Sequence, residues 1–300
     1  MIVNDAATLP ASYPARDANG DAFELRLTGP VEANRLRGVL LGAGDHRIKT
    51  EDRPPPPRLV VGDRIRLGGA ANEGAGLDAT IVAAVGRSVE LTTRLDEDAL
   101  WQALYAAGSP VQYAYRAELL PLYAVQTAYA SRPWSVEMPS AGRPLTWEVL
   151  LGLRRAGIEI ATVTHAAGLS STGDDAIDRA LPLPERYEIS RSTVQAIAAT
   201  RARGGSVIAI GTTVVRALEA AAQHGPLVAG SGIATLRLTP GYPLQIADGL
   251  VSGLHVPGES HFELLQAFAP RARLERALGL AAQHGLSSHE LGDACLILRS

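Results

Sequence analysis

The densest run of residues able to do chemistry lies between Gly204 and His255. Gly204-Gly205-Ser206-Val207-Ile208-Ala209-Ile210 reads as a buried strand entered from a glycine pair. Gly211-Thr212-Thr213 is its exit, and Val214-Val215-Arg216-Ala217-Leu218-Glu219 reads as the helix that follows. A helix begun there leaves backbone N–H groups and two hydroxyls at one point, which suits a carboxylate, another anion or a ribose. The same tripeptide also serves as an ordinary strand exit and helix cap. Arg216 and Glu219 stand three apart on that helix, the spacing of a surface ion pair.

Histidine is the side chain best placed to move protons near neutral pH. Three of the seven, His165, His255 and His261, fall at expected strand exits or loops. The alternative for each is a histidine simply hydrogen-bonded in a loop. His165 opens the polar stretch Thr164 to Ser171, after an expected strand over 158–163. His255 and His261 belong to a further polar cluster that also takes in Tyr242 and Asp248. Asp248 follows the apolar run Leu244-Gln245-Ile246-Ala247, read as a strand, and serves either as an acid/base carboxylate or as a turn-former. No short histidine pair of the kind that holds zinc is present, so no metal is expected. Pro139-Ser140-Ala141-Gly142-Arg143-Pro144-Leu145-Thr146 is a proline-bracketed loop, with Arg143 inside it and Thr146 as the cap of a helix from Trp147. It is either a substrate loop or a plain connection.

The elements that must position these residues fall into two groups. Short β-like runs at 22–27, 36–41, 63–67, 79–85 and 88–92 predict a small antiparallel barrel or sandwich. A helix with an acidic first turn follows at 96–107. From about Val111 helices alternate with strands: helices at 147–156, 191–203, 262–268 and 274–284, and strands at 158–163, 206–210 and 233–238. The expected fold is therefore α/β, a larger layered α/β domain with a small antiparallel β-barrel domain. Residues 1–112 are assigned to the barrel-like domain, with the first 18 or so available to the larger one, and residues 113–300 to the α/β domain. In an open α/β sheet ligands collect at the carboxyl ends of strands, where the polar clusters fall.

The 300 residues carry 46% hydrophobic and 20% charged side chains and a net charge of −3, so nothing global pushes the chain toward nucleic acid. Lys49 is the only lysine; every other side-chain cation bar histidine is arginine. The single cysteine, Cys295, excludes an internal disulfide and reads as a small core residue. No apolar run is long enough to span a membrane and no signal peptide opens the chain, which predicts a cytoplasmic protein without membrane partners.

Taken together, the segments resemble the S-adenosylmethionine:tRNA ribosyltransferase-isomerase family of queuosine biosynthesis. The matching residues run from Asn4-Asp5-Ala6-Ala7-Thr8-Leu9-Pro10-Ala11 through Gln126-Thr127-Ala128-Tyr129-Ala130, Pro139-Ser140-Ala141-Gly142, Thr146, His165 and Glu185-Arg186-Tyr187. They continue through the whole 204–219 block, Pro240-Gly241-Tyr242, Asp248-Gly249-Leu250, His255-Val256-Pro257 and Gly292-Asp293-Ala294. The resemblance implies a β-barrel domain carried on an α/β domain. It also implies an enzyme that uses S-adenosylmethionine as a ribosyl-donating substrate. The acceptor would be the aminomethyl group of a 7-deazaguanine in tRNA, and the products epoxyqueuosine, adenine and methionine. His165, His255 and Asp248 are then the candidate acid and base groups. Gly211, Thr212, Thr213, Arg216, Tyr242 and Arg143 are the candidate substrate-binding residues, with Arg216 meeting a methionine carboxylate or a tRNA phosphate.

The chain also departs from the family pattern. Where the family loop reads Ala-Gly-Leu-His-Phe-Thr, Ala141-Gly142 is followed by Arg143-Pro144-Leu145-Thr146. A family Gly-Thr-Phe after His165 becomes Leu169-Ser170-Ser171-Thr172, and a family Lys-Ser-Thr after His255-Val256-Pro257 becomes Gly258-Glu259-Ser260-His261. Near the end Phe-Tyr-Gly-Asp becomes Glu290-Leu291-Gly292-Asp293. The family carries several tens of residues ahead of the position of Asn4, so either the start of this chain is misassigned or cut, or it is a divergent, N-terminally short paralogue. Changes gathered in loops predict altered recognition on a kept scaffold. Two alternatives stand beside the tRNA reading: the same donor with a small-molecule acceptor, and a non-catalytic nucleotide- or RNA-binding protein. The oligomeric state is left open.

Overall fold

The computed structural model describes residues 1–68, 76–288 and 291–299. Glu290, noted above, lies outside them. The chain opens with β1 (Ile2–Asn4) and β2 (Ala6–Thr8). It then passes through β3 (Ser12–Arg16), β4 (Ala22–Leu27), β5 (Arg35–Leu41), β6 (Arg64–Leu67), β7 (Leu77–Val85) and β8 (Ser88–Thr92). Helix α1 (Glu97–Ala107), β9 (Arg132–Ser135), α2 (Trp147–Arg155), β10 (Ala161–His165) and α3 (Asp175–Ala180) follow. Next come β11 (Glu185–Ile189), α4 (Arg191–Ala202), β12 (Ile208–Ile210), α5 (Thr212–Ala222) and β13 (Gly230–Ala234). The last elements are β14 (Gly249–Gly253), α6 (Ser260–Leu265), α7 (Arg271–Gln283) and β15 (Ala294–Leu298).

Strands β3 to β8 close into an antiparallel barrel in the order β3-β4-β5-β8-β7-β6. Period-2 alternation fills it: Phe23, Leu25 and Leu27 of β4 meet Ile65 and Leu67 of β6 and Val89 and Leu91 of β8 in one core. Helix α1 is capped by Asp96, whose carboxylate accepts from the Ala99 N–H, and it adds Leu100 and Leu104 to that core. The other face of β4 is buried too. Glu24 there pairs with Arg26 at 2.6 Å and with Arg53, while Arg26 also donates to the Gln112 carbonyl. Two arginines hold the Glu24 carboxyl below its ordinary range against the opposing cost of burial.

The second body is a seven-stranded sheet in the order β13-β11-β10-β1-β12-β14-β15. Its centre, β10-β1-β12-β14, is parallel, and its outer strands run antiparallel. The short β1 thus sits between strands that arrive about 160 and 200 residues later. Helix α5 covers the sheet centre and is buried on most of its faces. The carboxyl ends of the parallel strands, at Asn4, His165, Ile210 and Gly253, share one edge.

Three expected strands move, each for a visible reason. The strand expected at 158–163 is β10, Ala161–His165, because pairing starts only where β1 offers a partner; the Met1 carbonyl takes the Ala161 N–H. The strand expected at 233–238 is β13, Gly230–Ala234, since the carbonyls of Ala234 and Leu236 accept from buried Arg216. The run from Leu244 to Ala247 is no strand. Its N–H groups at Gln245, Ile246 and Ala247 donate to the Glu219 carboxylate at 2.8–3.0 Å, and Arg201 takes the carbonyls of Gln245 and Ile246. Arg216 and Glu219 therefore form no surface pair; both are buried and point to different partners. Cys295 lies on β15, half-buried against the core.

Removing the carboxylate would strand three N–H donors, two of them buried. Glu219→Ala is expected to cost about 3–5 kcal/mol of stability by the scale of lost charge-assisted hydrogen bonds, read as a lowered urea midpoint. A shift below about 1 kcal/mol would show that water replaces the carboxylate freely.

Candidate active site

A cleft of about 640 Å³ opens at the shared carboxyl edge, within the range of small-molecule sites. Its floor is the strand-to-helix junction. Gly211 adopts φ +93°, a conformation that L side chains resist, and this lets β12 stop and α5 start within one residue. Thr212 and Thr213 open α5 on this floor, where the first N–H groups of a helix lack partners four residues back. Ala141 meets this junction from the opposite wall. Its loop is pressed tight: a Cβ on Gly142 would lie 2.1 Å from the Tyr129 hydroxyl.

One wall carries a histidine assembly. The His255 Nε2 lies 3.1 Å from Ser252 Oγ, and its Nδ1 lies 3.6 Å from Glu259 Oε2. The His261 ring stacks on His255, with centroids 4.7 Å apart and planes 16° apart. Burial, and next the neighbouring His255, pull His261 down to about 3, so it is neutral at physiological pH. Glu259 and His261 are two of the residues at which the chain departs from the family pattern. His255 Nε2 and the Ser252 hydroxyl thus share one hydrogen bond at the cleft, with the Glu259 carboxylate at ion-pair distance on the far side of the ring.

The opposite wall carries Tyr113, Glu137, Ser170 and Ser171. Glu137 Oε1 accepts from the Tyr113 hydroxyl at 2.5 Å, the Ser170 N–H at 2.6 Å and the Ser170 hydroxyl at 3.0 Å. Burial raises the Glu137 carboxyl above its ordinary value despite those bonds, and it raises the Tyr113 phenol well above its own. The Ser170–Thr172 loop is anchored to the barrel side by Ser171 Oγ to Thr50 Oγ1 at 2.6 Å.

At the back, Arg216 pairs with Glu185 and donates to the carbonyls of Leu183, Ala234 and Leu236. Glu185 in turn accepts the Gly168 N–H at 2.6 Å. Burial pulls Arg216 down to about 10, which leaves it charged at neutral pH, and its charge is spent on Glu185. His165 is fully buried behind this pair. Its ring nitrogens make no hydrogen bond among the described residues, with Nε2 3.4 Å from Glu185 Oε2. Burial, and then the charge of Arg216, lower His165 to about 3.

The structure thus brings Gly211, Thr212, Thr213, Arg216 and His255 to one cleft, with His165 sealed beneath it. Asp248, Tyr242 and Arg143 do not line it. Asp248 precedes β14, at the amino end of the parallel strands, where its carboxylate accepts the Val207 N–H at 2.8 Å. It sits there because 244–247 is not a strand. Tyr242 packs on the core of the large sheet, and Arg143 is exposed with its Nε on the Ala124 carbonyl. Glu137, Glu185, Tyr113 and Ser252 went unassigned by sequence reasoning. Glu185 did stand within a matched motif; Glu137 gives no local signal, since its partners come from distant segments. No group of acidic, histidine or cysteine side chains that could hold a metal ion is present among the described residues. No helix there is long and apolar enough to cross a membrane.

The His165 shift has a sign. A buried imidazole that stays neutral when folded, but binds a proton near pH 6.5 when unfolded, adds stability above pH 6.5 that is lost as pH falls toward 3. Its share of the loss is about 1.4 kcal/mol per pH unit below 6.5. His165→Gln is expected to flatten the fall in stability between pH 7.5 and 5 relative to the unchanged protein, measured by urea unfolding. Parallel curves for the two proteins would refute a neutral, sealed His165.

Comparison with known proteins identifies a family for the chain. A family model described as queuosine biosynthesis protein matches residues 1–297. An S-adenosylmethionine:tRNA ribosyltransferase-isomerase from Acidithiobacillus ferrooxidans is 35% identical across 99% of this chain and 82% of its own length. Its counterpart from Thermus thermophilus is 33% identical across 99% of this chain and 84% of its own. A solved S-adenosylmethionine tRNA ribosyltransferase from Thermotoga maritima aligns with a TM-score of 0.47 and 21% identity, over 99% of this chain and 81% of that one. Matched over nearly its whole length, the chain belongs to the queuosine biosynthesis protein family.

Proposed function

We propose that the chain is an enzyme that transfers and isomerises the ribosyl group of S-adenosylmethionine onto a 7-aminomethyl-7-deazaguanine of tRNA, giving epoxyqueuosine and releasing adenine and methionine. The observation that carries this reading is the placement of His255, with Ser252 and Glu259, in the same cleft as the α5 N-terminus. The names of the relatives support the donor and the tRNA acceptor.

The donor has a carboxylate, ribose hydroxyls and a sulfonium. The α5 N–H groups with Thr212 and Thr213 suit the carboxylate or the hydroxyls. The sulfonium acidifies the adjacent ribose carbon, and His255 Nε2 is the base that takes its proton. Glu259 at 3.6 Å then balances the imidazolium, and neutral His261 adds no second positive charge to the stack. In this reading Arg216 shapes the site through Glu185 and binds no anion. His165 supports the cleft from beneath, and Asp248, Tyr242 and Arg143 stand outside the chemistry.

The first test is calorimetry of the chain with S-adenosylmethionine, followed by adenine release in the presence of a deazaguanine-containing tRNA stem-loop. Binding is expected, with turnover that falls about 10²–10⁴-fold in His255→Asn while donor affinity is kept, the range for loss of a general base. Turnover on a free deazaguanine but not on the stem-loop would replace the tRNA acceptor with a small molecule. No donor binding would defeat the reading.

A further inference from the structure

The proposed reaction needs a second proton-handling group. The electron pair of the bond between ribose and adenine leaves on the base, which departs more readily when one of its ring nitrogens is protonated. The carboxyls around the cleft divide sharply by how their oxygens are used. Glu185 is paired with Arg216, and Asp178 accepts from the Thr172 and Gly173 N–H groups and the Thr172 hydroxyl. Glu259 faces His255 and accepts the Val256 N–H, and Asp175 stands exposed in the first turn of α3.

Glu137 is different. Tyr113 and both donors of Ser170 converge on Oε1, and no cation among the described residues pairs with the carboxyl. Its Oε2 accepts no hydrogen bond among the described residues and is not sealed from solvent, so it opens onto the cleft that Glu137 lines. With Oε1 occupied as an acceptor three times over, a proton on this carboxyl sits on Oε2, aimed at the ligand space. The charged and titratable groups near it are Tyr113, which donates to it, and Arg26, whose guanidinium lies behind the Tyr113 ring, 5.0 Å from its centroid. Arg26 is paired with Glu24, and its pull on Glu137 is weaker than that of the Tyr113 and Ser170 hydrogen bonds.

We propose that Glu137 Oε2 is the hydrogen-bond and proton donor to the purine base of the bound nucleoside sulfonium. The inference rests on S-adenosylmethionine being the donor. In the step, the C1′–N9 bond breaks and its electron pair leaves on adenine. The Oε2 proton passes to a ring nitrogen of the adenine, and the ribose ring oxygen supplies the compensating pair to C1′. Glu137 is left as a carboxylate, held by Tyr113 and Ser170, and solvent returns its proton after adenine leaves. Burial raises this carboxyl above its ordinary value, the direction that a proton donor needs. It pairs with His255 across the cleft as acid to base.

The test has two independent readings. Infrared difference spectra between the unchanged protein and Glu137→Gln, taken without ligand across pH 5–9, should show a protonated-carboxyl band persisting at pH 7. Free adenine should shift that band, and Glu137→Ala should weaken adenine binding at least tenfold by calorimetry. In turnover, Glu137→Gln should keep donor affinity within twofold but slow adenine release about 100-fold, with loss of the alkaline limb that the rising ionisation of Glu137 imposes. The glutamine keeps an acceptor for Tyr113 and Ser170, so circular dichroism should be unchanged. A carboxylate already ionised at pH 7 overturns the proposal. So does adenine that fails to bind or binds Glu137→Ala equally well, and so does unchanged adenine release in Glu137→Gln. If adenine binds through Glu137 but the unchanged protein ignores S-adenosylmethionine, the donor reading fails and the base-contacting carboxyl stands.

Discussion

One side-chain amide holds the active edge of the molecule together. Asn4, buried at the end of β1, accepts the His165 and Ala6 N–H groups on Oδ1 and donates through Nδ2 to the His165 carbonyl and, at 3.4 Å, to Thr213 Oγ1. The carboxyl ends of β1 and β10 and the first turn of α5 are thereby fixed in one geometry. The width of the cleft floor follows from that amide. Both of its ends are used, so neither a carboxylate nor a hydroxyl of similar size could reproduce the pattern.

A second constraint runs from the barrel to the cleft wall. Glu24, Arg26, Tyr113, Glu137 and Ser170 form a continuous polar line, each touching the next by ion pair, ring contact or hydrogen bond. Its barrel end sets one carboxylate against two guanidinium groups. Burial acts alike along the line; what differs is that Glu24 has two guanidinium partners and Glu137 has none among the described residues. The barrel is therefore part of the site, since it supplies the hydrophobic and ionic backing that sets the character of the cleft carboxyl.

Local pattern made much of this legible in the sequence. Strands β4, β6 and β8 alternate apolar with polar residues, and the strand-to-helix passage through Gly211-Thr212-Thr213 carries its own punctuation. The matched motifs pointed to the family, and His255 could be named from its strand exit. What was not legible depended on partners far away in the chain. Leu244 to Ala247 looks like a strand until Glu219 claims its N–H groups. Arg216 and Glu219 look like a surface pair until burial separates them. β11, with Glu185, Arg186 and Glu188 among its five residues, has no apolar signature and is a strand because β10 and β13 pair with it on both sides. Glu137 is an ordinary acid until Tyr113 and Ser170 surround it.

The central position of β1 bears on how the molecule comes to be folded. Its partners are Ala161 to Val163 on one side and Ala209 to Ile210 on the other. A ribosome releases β1 well ahead of both its partners, and its pairing with β12 waits until some two hundred further residues have emerged. The barrel strands, paired mostly with near neighbours in sequence, close long before that. Nascent chains thus carry a finished barrel beside an unpaired apolar strand, and closure of the large sheet is the slow, late event. Because Asn4 belongs to that strand, the cleft is created in the same step that completes the sheet, and no partly made chain has a working site.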